Sequence, residues 1–452
     1  MNVVILSDHQ WKGGAATAAS QIAASINRCS RLRDEHALKA HPEIENFCDD
    51  PRWPTLCNLI RVSYFEDGED PHACLYSSTH VLWHEEAPAT RQLMRLPRKV
   101  LPAVFPRPNS PAYAADRLRE ALKPLYPDLI SVHNLHAAAP WGWGPHLIET
   151  CLEFAPVVWT LHDMWSFTGR CAYSYDCEKF ISGCDAACPT PTEMPALAPE
   201  QIRGAWEDRW VFYARHRDDL VLVTPSQWLA SQARRGMFAQ HRVEVIPYGV
   251  PAPRPQRRDD ARRVLNIDAH GRVLLIAGFD LTERRKGAEI LRQLWSHVVS
   301  RPLTVVTMGQ GAIACDDPNI HVHPCGWVSD ETMKALVYSA ADALLHPAPV
   351  DNFPNVVLEA FACGTPTIAM PVGGLPELVR PGVSGWLAES ATPAALGRAV
   401  DRAIGDLSLG ENMRESCRQL AETEYTLELQ GRRYVRLFEE IVAARRMSRE
   451  NL

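Results

Sequence analysis

No run of apolar residues in this chain approaches the roughly eighteen needed to cross a membrane as a helix. A membrane-embedded protein is therefore not expected. The first residues, Met1–Leu6, are apolar but lack a basic flank and a cleavage site, and they read as a strand, not a signal peptide. There is no excess of positive charge: the formal net charge is −7, which argues against a general nucleic-acid binder. Cysteine is not scarce, but the count of 13 is odd. Without an export signal, an odd count points to free thiols in a reducing cytoplasm. At 452 residues the chain is too long for one ordinary core, so two domains are expected.

What is present centres on residues 346–377, HPAPVDNFPNVVLEAFACGTPTIAMPVGGLPE. Asn355–Cys363 reads as a short helix that is too apolar for the surface. Gly364 suits the left-handed position past its end. Thr367–Met370 then reads as a buried parallel strand. One carboxylate, Asp351, precedes the helix, and a second, Glu359, lies about one turn inside it. Between them the free N–H groups of Asn355 and Val356 attract an anion such as phosphate. Carboxylates on either side of an anion site suit hydroxyls, which fits a sugar, a diphosphate and a ribose in line. Taken alone, the same two acids could be a helix cap and a salt-bridge partner.

The surrounding residues resemble the donor-site signature of retaining family-4 glycosyltransferases of GT-B fold, Glu-x7-Glu followed by Ala-x-Ala-x-Gly-x-Pro. The resemblance extends through Gly373-Gly374-Leu-Pro-Glu377 and Gly382-Val-Ser-Gly385, and the chain is similar to the exopolysaccharide and colanic-acid-type subgroup. Two departures stand out. Asp351 replaces the usual Glu, shortening the reach to a donor sugar, and Pro354 removes one N–H.

Strand and helix patterns alternate on both sides of this stretch. Val3–Ser7, Asp128–His133, Pro156–Leu161, Val221–Thr224 and Val243–Ile246 read as strands of a first domain. Pro251–Pro255 reads as a stiff linker. Arg272–Gly278, Leu303–Met308, Ile320–Pro324 and Ala340–His346 restart the alternation. The expected fold class is thus α/β: two Rossmann-like, doubly wound parallel-sheet domains facing a cleft, 1–248 on the acceptor side and 256–424 for the nucleotide sugar. The last stretch, 425–452, is amphipathic at helical spacing and is expected to cross back to the first domain, with Tyr434 and Phe438 in its core.

Gly13 and Gly14 lie between a strand and a small-residue helix, an anion-binding turn or simply a tight one. His162 ends a strand, where open α/β sheets bind ligands. His133 and His136 are weaker candidates for an acceptor pocket. The run 91–107 carries four arginines and one lysine among apolar residues with no acid. It is either a solvated face or a patch for anionic lipid. Cys171, Cys177, Cys184 and Cys188 have the spacing C-x5-C-x6-C-x3-C. They are a candidate structural zinc site, or else reduced thiols or local disulfides.

The resemblance implies roles for particular residues. His162, Lys286, Asp351 and Glu359 would form the catalytic set. His162 would contact the donor sugar, Asp351 its hydroxyls, and Glu359 the ribose. Lys286, with Arg285 or less plausibly Arg284, would hold the diphosphate, since Phe279 occupies the place of the family's arginine. Gly13, Gly14, Val328, Phe353, Asn355 and Val356 would complete the nucleotide-sugar site. The implied activity is a hexosyltransferase that moves sugar, with retention, from a UDP- or GDP-linked donor to a hydroxyl. The acceptor would be a glycan or polyprenyl-linked glycan in surface or exopolysaccharide biosynthesis. No catalytic metal and no nucleic acid are expected, and the location is cytoplasmic, peripheral to the membrane through 91–107. Two rival classes are a GT-B sugar-nucleotide epimerase and a non-catalytic nucleotide-sugar-binding partner of a polysaccharide assembly complex.

Overall fold

The computed structural model describes residues 2–7, 22, 58–63, 75–78, 111–133, 135, 145–190, 195, 197–251, 255–268, 271–313, 315–406 and 410–450. These residues divide into two compact units. The first holds the described residues up to Thr224, with Ala230–Ile246 and those from Gly431 onward; the second holds Pro225–Leu229 and Pro247–Gln430.

The first unit is built on a seven-stranded sheet: β1 (Asn2–Ser7), β2 (Asn58–Ser63), β3 (Leu75–Ser78), β4 (Leu129–Val132), β5 (Val157–Thr160), β6 (Leu220–Thr224) and β7 (Val243–Val245). The order is β3-β2-β1-β4-β5-β6-β7. From β1 through β7 neighbours are parallel, while β2 and β3 add an antiparallel edge. The apolar runs that make β4, β5 and β6 are buried throughout, as strands covered on both faces must be. Tyr434, Phe438 and Ile441 of the terminal helix Leu427–Glu450 pack into one core with Val3, Ile5, Val158 and Val223. Tyr434 Oη also lies 3.0 Å from Thr160 Oγ1, so the hydroxyl that enters this core has a partner.

The second unit carries β8 (Val273–Asp280), β9 (Leu303–Gln310), β10 (Ile320–Gly326), β11 (Ala343–His346), β12 (Thr367–Ala369) and β13 (Gly385–Leu387). All neighbours are parallel, in the order β10-β9-β8-β11-β12-β13. The chain therefore winds outward from β8 in one direction and from β11 in the other. The loops leaving β8 and β11 flank the reversal, the place where open parallel sheets bind ligands. No helix among the described residues is long and apolar enough to cross a membrane.

The expected limits at 248, 256 and 425 differ from this division for local reasons. Residues 225–229 join the second unit because the Glu377 carboxylate accepts from the amides of Gln227 and Trp228, at 2.8 and 2.7 Å. Tyr425 stays there as well, its carbonyl accepting from Val250 N–H at 2.8 Å.

Phe438 is fully buried. Phe438→Ala should destabilise the first unit by about 3–5 kcal/mol, read as an earlier unfolding transition by circular dichroism. Unchanged unfolding would show that the terminal helix does not contribute to this core.

Candidate functional site

The reversal point of the second sheet is where the sequence-marked residues gather. β8 leaves the sheet at Asp280 and turns through Arg284–Lys286 into Gly287, whose φ is +91°. That conformation favours glycine, and a Cβ there would stand 2.4 Å from the carbonyl oxygen of Pro347, just past β11. Glycine thus lets the Lys286 turn rest on the exit of the neighbouring strand. As a result Lys286 Nζ sits 3.0 Å from Asp351 Oδ2.

Asp351 is only 5% exposed. Burial works against its ionisation, but Lys286, His346 and Arg285 outweigh burial and hold the carboxyl far below the usual carboxylate range. Its second oxygen accepts from the Asn352 amide at 2.9 Å. The backbone behind it is clamped by the diglycine: Gly373, at φ +57°, would place a Cβ 1.8 Å from the Asp351 carbonyl oxygen. Any side chain at 373 would push the acid out of position.

The helix Asn355–Ala362 follows with Pro354 as its cap and no side-chain cap bond. Pro354 precedes the first free helix amides, so its missing N–H removes nothing from the anion-binding end. Val357, Leu358, Ala360 and Phe361 are fully buried, as the apolar composition demands. Asn355, Val356, Glu359 and Ala362 share the half-buried face. Asn355 Oδ1 is buried with no hydrogen-bond partner among the described residues, a group left for a ligand donor. Gly364 ends the helix at φ +73°, the left-handed stop read from the sequence.

Glu359 does not touch Lys286. Its carboxylate accepts from Tyr338 Oη at 2.7 Å, and burial pushes its pKa up against the opposing effect of that bond and of Lys334. Arg285 reaches Glu283 at 3.3 Å while still bearing electrostatically on Asp351. Val328 is half-buried in the loop after β10, beside the exposed Trp327, whose ring meets Phe279 edge-on at 5.2 Å. Phe353 lies within the motif. Its ring is 4% exposed and packs edge-on against Tyr248 and Tyr425, so it belongs to the core and only its backbone is left for a ligand. Sequence reading missed His346 and Tyr338. His346 lies at the C-terminal end of β11, 3.4 Å from Asp351 Oδ2, and its place at a strand end was the available signal. Tyr338 carried none, because its link to Glu359 spans 21 positions.

In the first unit His162 follows β5, with its Nε2 3.1 Å from Nδ1 of His133, which follows β4. The two rings stack at 5.3 Å. Burial holds His133 down to about 3, so it is neutral at physiological pH. Both histidines line one pocket with Trp159, Asp163 and Trp165. Gly13, Gly14, His136 and the 91–107 run lie outside the described residues. The four cysteines of the 171–188 loop are all unpaired thiols and line one pocket. Burial pushes Cys171 up to about 12 and Cys184 up to about 11, the latter opposed by a bond from the Gly169 amide.

Comparison with known proteins bears on the family and the fold. Residues 77–254 match the Glycosyltransferase Family 4 model, and residues 271–406 match the model for Glycosyl transferases group 1. The chain is 26% identical over 217 residues to WcaC of Escherichia coli (strain K12), provisionally named a colanic acid biosynthesis glycosyl transferase; the match covers 47% of this chain and 51% of WcaC. It is 31% identical over 242 residues to D-inositol 3-phosphate glycosyltransferase 1 of Catenulispora acidiphila, covering 48% of this chain and 54% of that protein. The chain thus spans about half the length of these curated relatives. Among solved structures it resembles sucrose-phosphate synthase from Thermosynechococcus elongatus, with a TM-score of 0.57, 20% identity and coverage of 74% and 78% of the two chains. It also resembles HepE of Anabaena in complex with UDP-glucose, with a TM-score of 0.51, 16% identity and coverage of 74% and 84%. At such identities the structural likeness speaks for the fold alone. The chain belongs to the group 1/family 4 glycosyltransferases and has the GT-B fold.

Lys286 and Asp351 side chains are 19% and 7% exposed, so a half-buried cation meets a buried acid. Asp351 ionises more readily folded than unfolded. Its stabilising contribution is therefore complete above the ordinary carboxylate pKa of about 4 and is lost as pH falls below it. Lys286→Met should cost about 3–5 kcal/mol at neutral pH by removing the cation that contributes most to holding Asp351 ionised. The cost should shrink in acid, and adding Asp351→Asn should recover much of it. Chemical denaturation at several pH values checks this; a single variant as stable as wild type at neutral pH contradicts it.

Proposed function

We propose that the chain is a retaining hexosyltransferase that uses a nucleotide-diphosphate sugar and needs no catalytic metal. Its acceptor is a hydroxyl of a glycan or lipid-linked glycan in surface or exopolysaccharide biosynthesis. The reading is carried by one observation: Lys286 meets Asp351 at the sheet reversal, beside an uncapped helix start that also bears Glu359. A diphosphate needs a fixed cation and free amides, and its two flanking sugars need acceptors for their hydroxyls; these residue types supply both.

In the reaction the bond from the anomeric carbon to the phosphate oxygen breaks, and one to the acceptor oxygen forms on the same face. The acceptor's proton passes to the departing phosphate. Negative charge grows on the diphosphate, and Lys286, the amides of Asn355 and Val356, and Arg285 stabilise it. Because Lys286 is tied to Asp351, donor binding exchanges that partner for phosphate and frees Asp351 to hold sugar hydroxyls. Glu359, oriented by Tyr338, accepts from the ribose. His162 is assigned to a contact with the donor sugar. The enzyme works at the cytoplasmic side of a membrane, with 91–107 as its lipid contact.

A thermal-shift screen with UDP, GDP and their sugars tests the reading, because a ligand of the folded state raises the melting temperature by mass action. UDP is the first to try, since HepE was solved with UDP-glucose. One nucleotide diphosphate should stabilise the protein. Lys286→Ala should lower transfer by about 100-fold or more, and Glu359→Gln should weaken donor binding by about tenfold or more. Transfer should survive omission of magnesium and manganese, and the product should keep the donor's anomeric configuration. Stabilisation by none of the nucleotides, or near-normal transfer by both variants, contradicts it; epimerised donor without acceptor would favour an epimerase.

A further inference from the structure

The loop 163–190 has little regular structure of its own: a three-residue turn at Trp165–Phe167 and one helical turn at Lys179–Ser182. Such a segment has few backbone bonds to hold it and gains from a cross-link. Its four cysteines, up to seventeen positions apart in sequence, converge on one pocket with Lys179 and Arg170. None forms a disulfide. Cys184 Sγ already accepts a hydrogen bond from the Gly169 amide at 3.2 Å, the kind of contact that favours a sulfur carrying negative charge.

A second, independent feature points to missing negative charge. Arg209 is 7% exposed, and among the described residues its guanidinium has no ion-pair partner. It donates to the carbonyls of Trp165 and Thr168 and lies over the Trp165 ring at 4.1 Å. Cys184, Cys171 and the Asp163 carboxylate all act on it electrostatically. A buried cation with no anion in direct contact is costly, so negative sulfur nearby would be stabilising.

We propose that Cys171, Cys177, Cys184 and Cys188 bind one zinc ion as a tetrathiolate that braces the segment following His162. Four thiols lose four protons as the four sulfur–zinc bonds form, giving a site of net charge −2 in a pocket that Arg170 lines together with the Lys179–Asp185 ion pair. The all-sulfur donor set is soft and closed, leaving no position for substrate, so the ion is structural. No three His, Cys, Asp or Glu side chains among the described residues are grouped closely enough to hold an ion as they stand, so binding requires the thiols to rotate into the pocket.

Metal analysis of the full chain, purified under reducing conditions without chelator, tests the proposal whatever the enzymatic activity. About one zinc per chain is expected, with cobalt replacement giving the thiolate charge-transfer and visible bands of a tetrahedral site. Cys177→Ser and Cys188→Ser should each lose most of the metal, and Cys325→Ser should keep it. Should those variants fail to fold, the wild-type stoichiometry and intact mass decide alone. Less than about 0.2 zinc per chain overturns the proposal. So does a mass lower by four hydrogens, which means two disulfides, or bound iron with its cluster absorption.

Discussion

The second unit depends on a cation held still beside a buried acid. Lys286 and Asp351 come from loops leaving different strands, β8 and β11, and their contact ties those loops across the point where the sheet reverses. A buried ion pair contributes little net stability, since desolvating two charges offsets much of their attraction. Its value lies in position. Lys286 is kept at the sheet reversal, and Asp351 stays ionised although nearly inaccessible to water. On the proposed function, an incoming diphosphate offers the lysine a second anion, while His346 and Arg285 continue to bear on Asp351.

Around that pair the backbone does as much as the side chains. Gly287 allows the lysine turn to rest on Pro347, and Gly373 allows its loop to pass behind Asp351. The helix from Asn355 is packed so tightly on its apolar sides that only the face with Asn355, Val356 and Glu359 remains for a ligand. The stretch that carries this face lies within residues 271–406, which match the model for Glycosyl transferases group 1.

Much of this was legible in the chain. The β-branched runs marked nearly every strand, because strands buried on both faces must be apolar throughout. The helix Asn355–Ala362 and its stop at Gly364 followed from composition and local backbone rules. What escaped depended on contacts distant in sequence. Phe353 sits within the motif, yet its ring direction is set by Tyr248 and Tyr425, some 70 to 105 positions away. Tyr338 and His346 act on the two carboxylates from neighbouring elements, and residues 225–229 are drawn into the second unit by Glu377. The antiparallel edge of β2 and β3 lies in a stretch whose composition showed no pattern.

The central claim is that Lys286 exchanges Asp351 for the donor's diphosphate. Calorimetric titration of a nucleoside and its diphosphate, into wild type and into Lys286→Met, measures this directly. The account predicts that the diphosphate binds wild type much more tightly than the nucleoside does. In the variant this advantage should largely vanish while nucleoside affinity holds. An advantage of the same size in both proteins would contradict it.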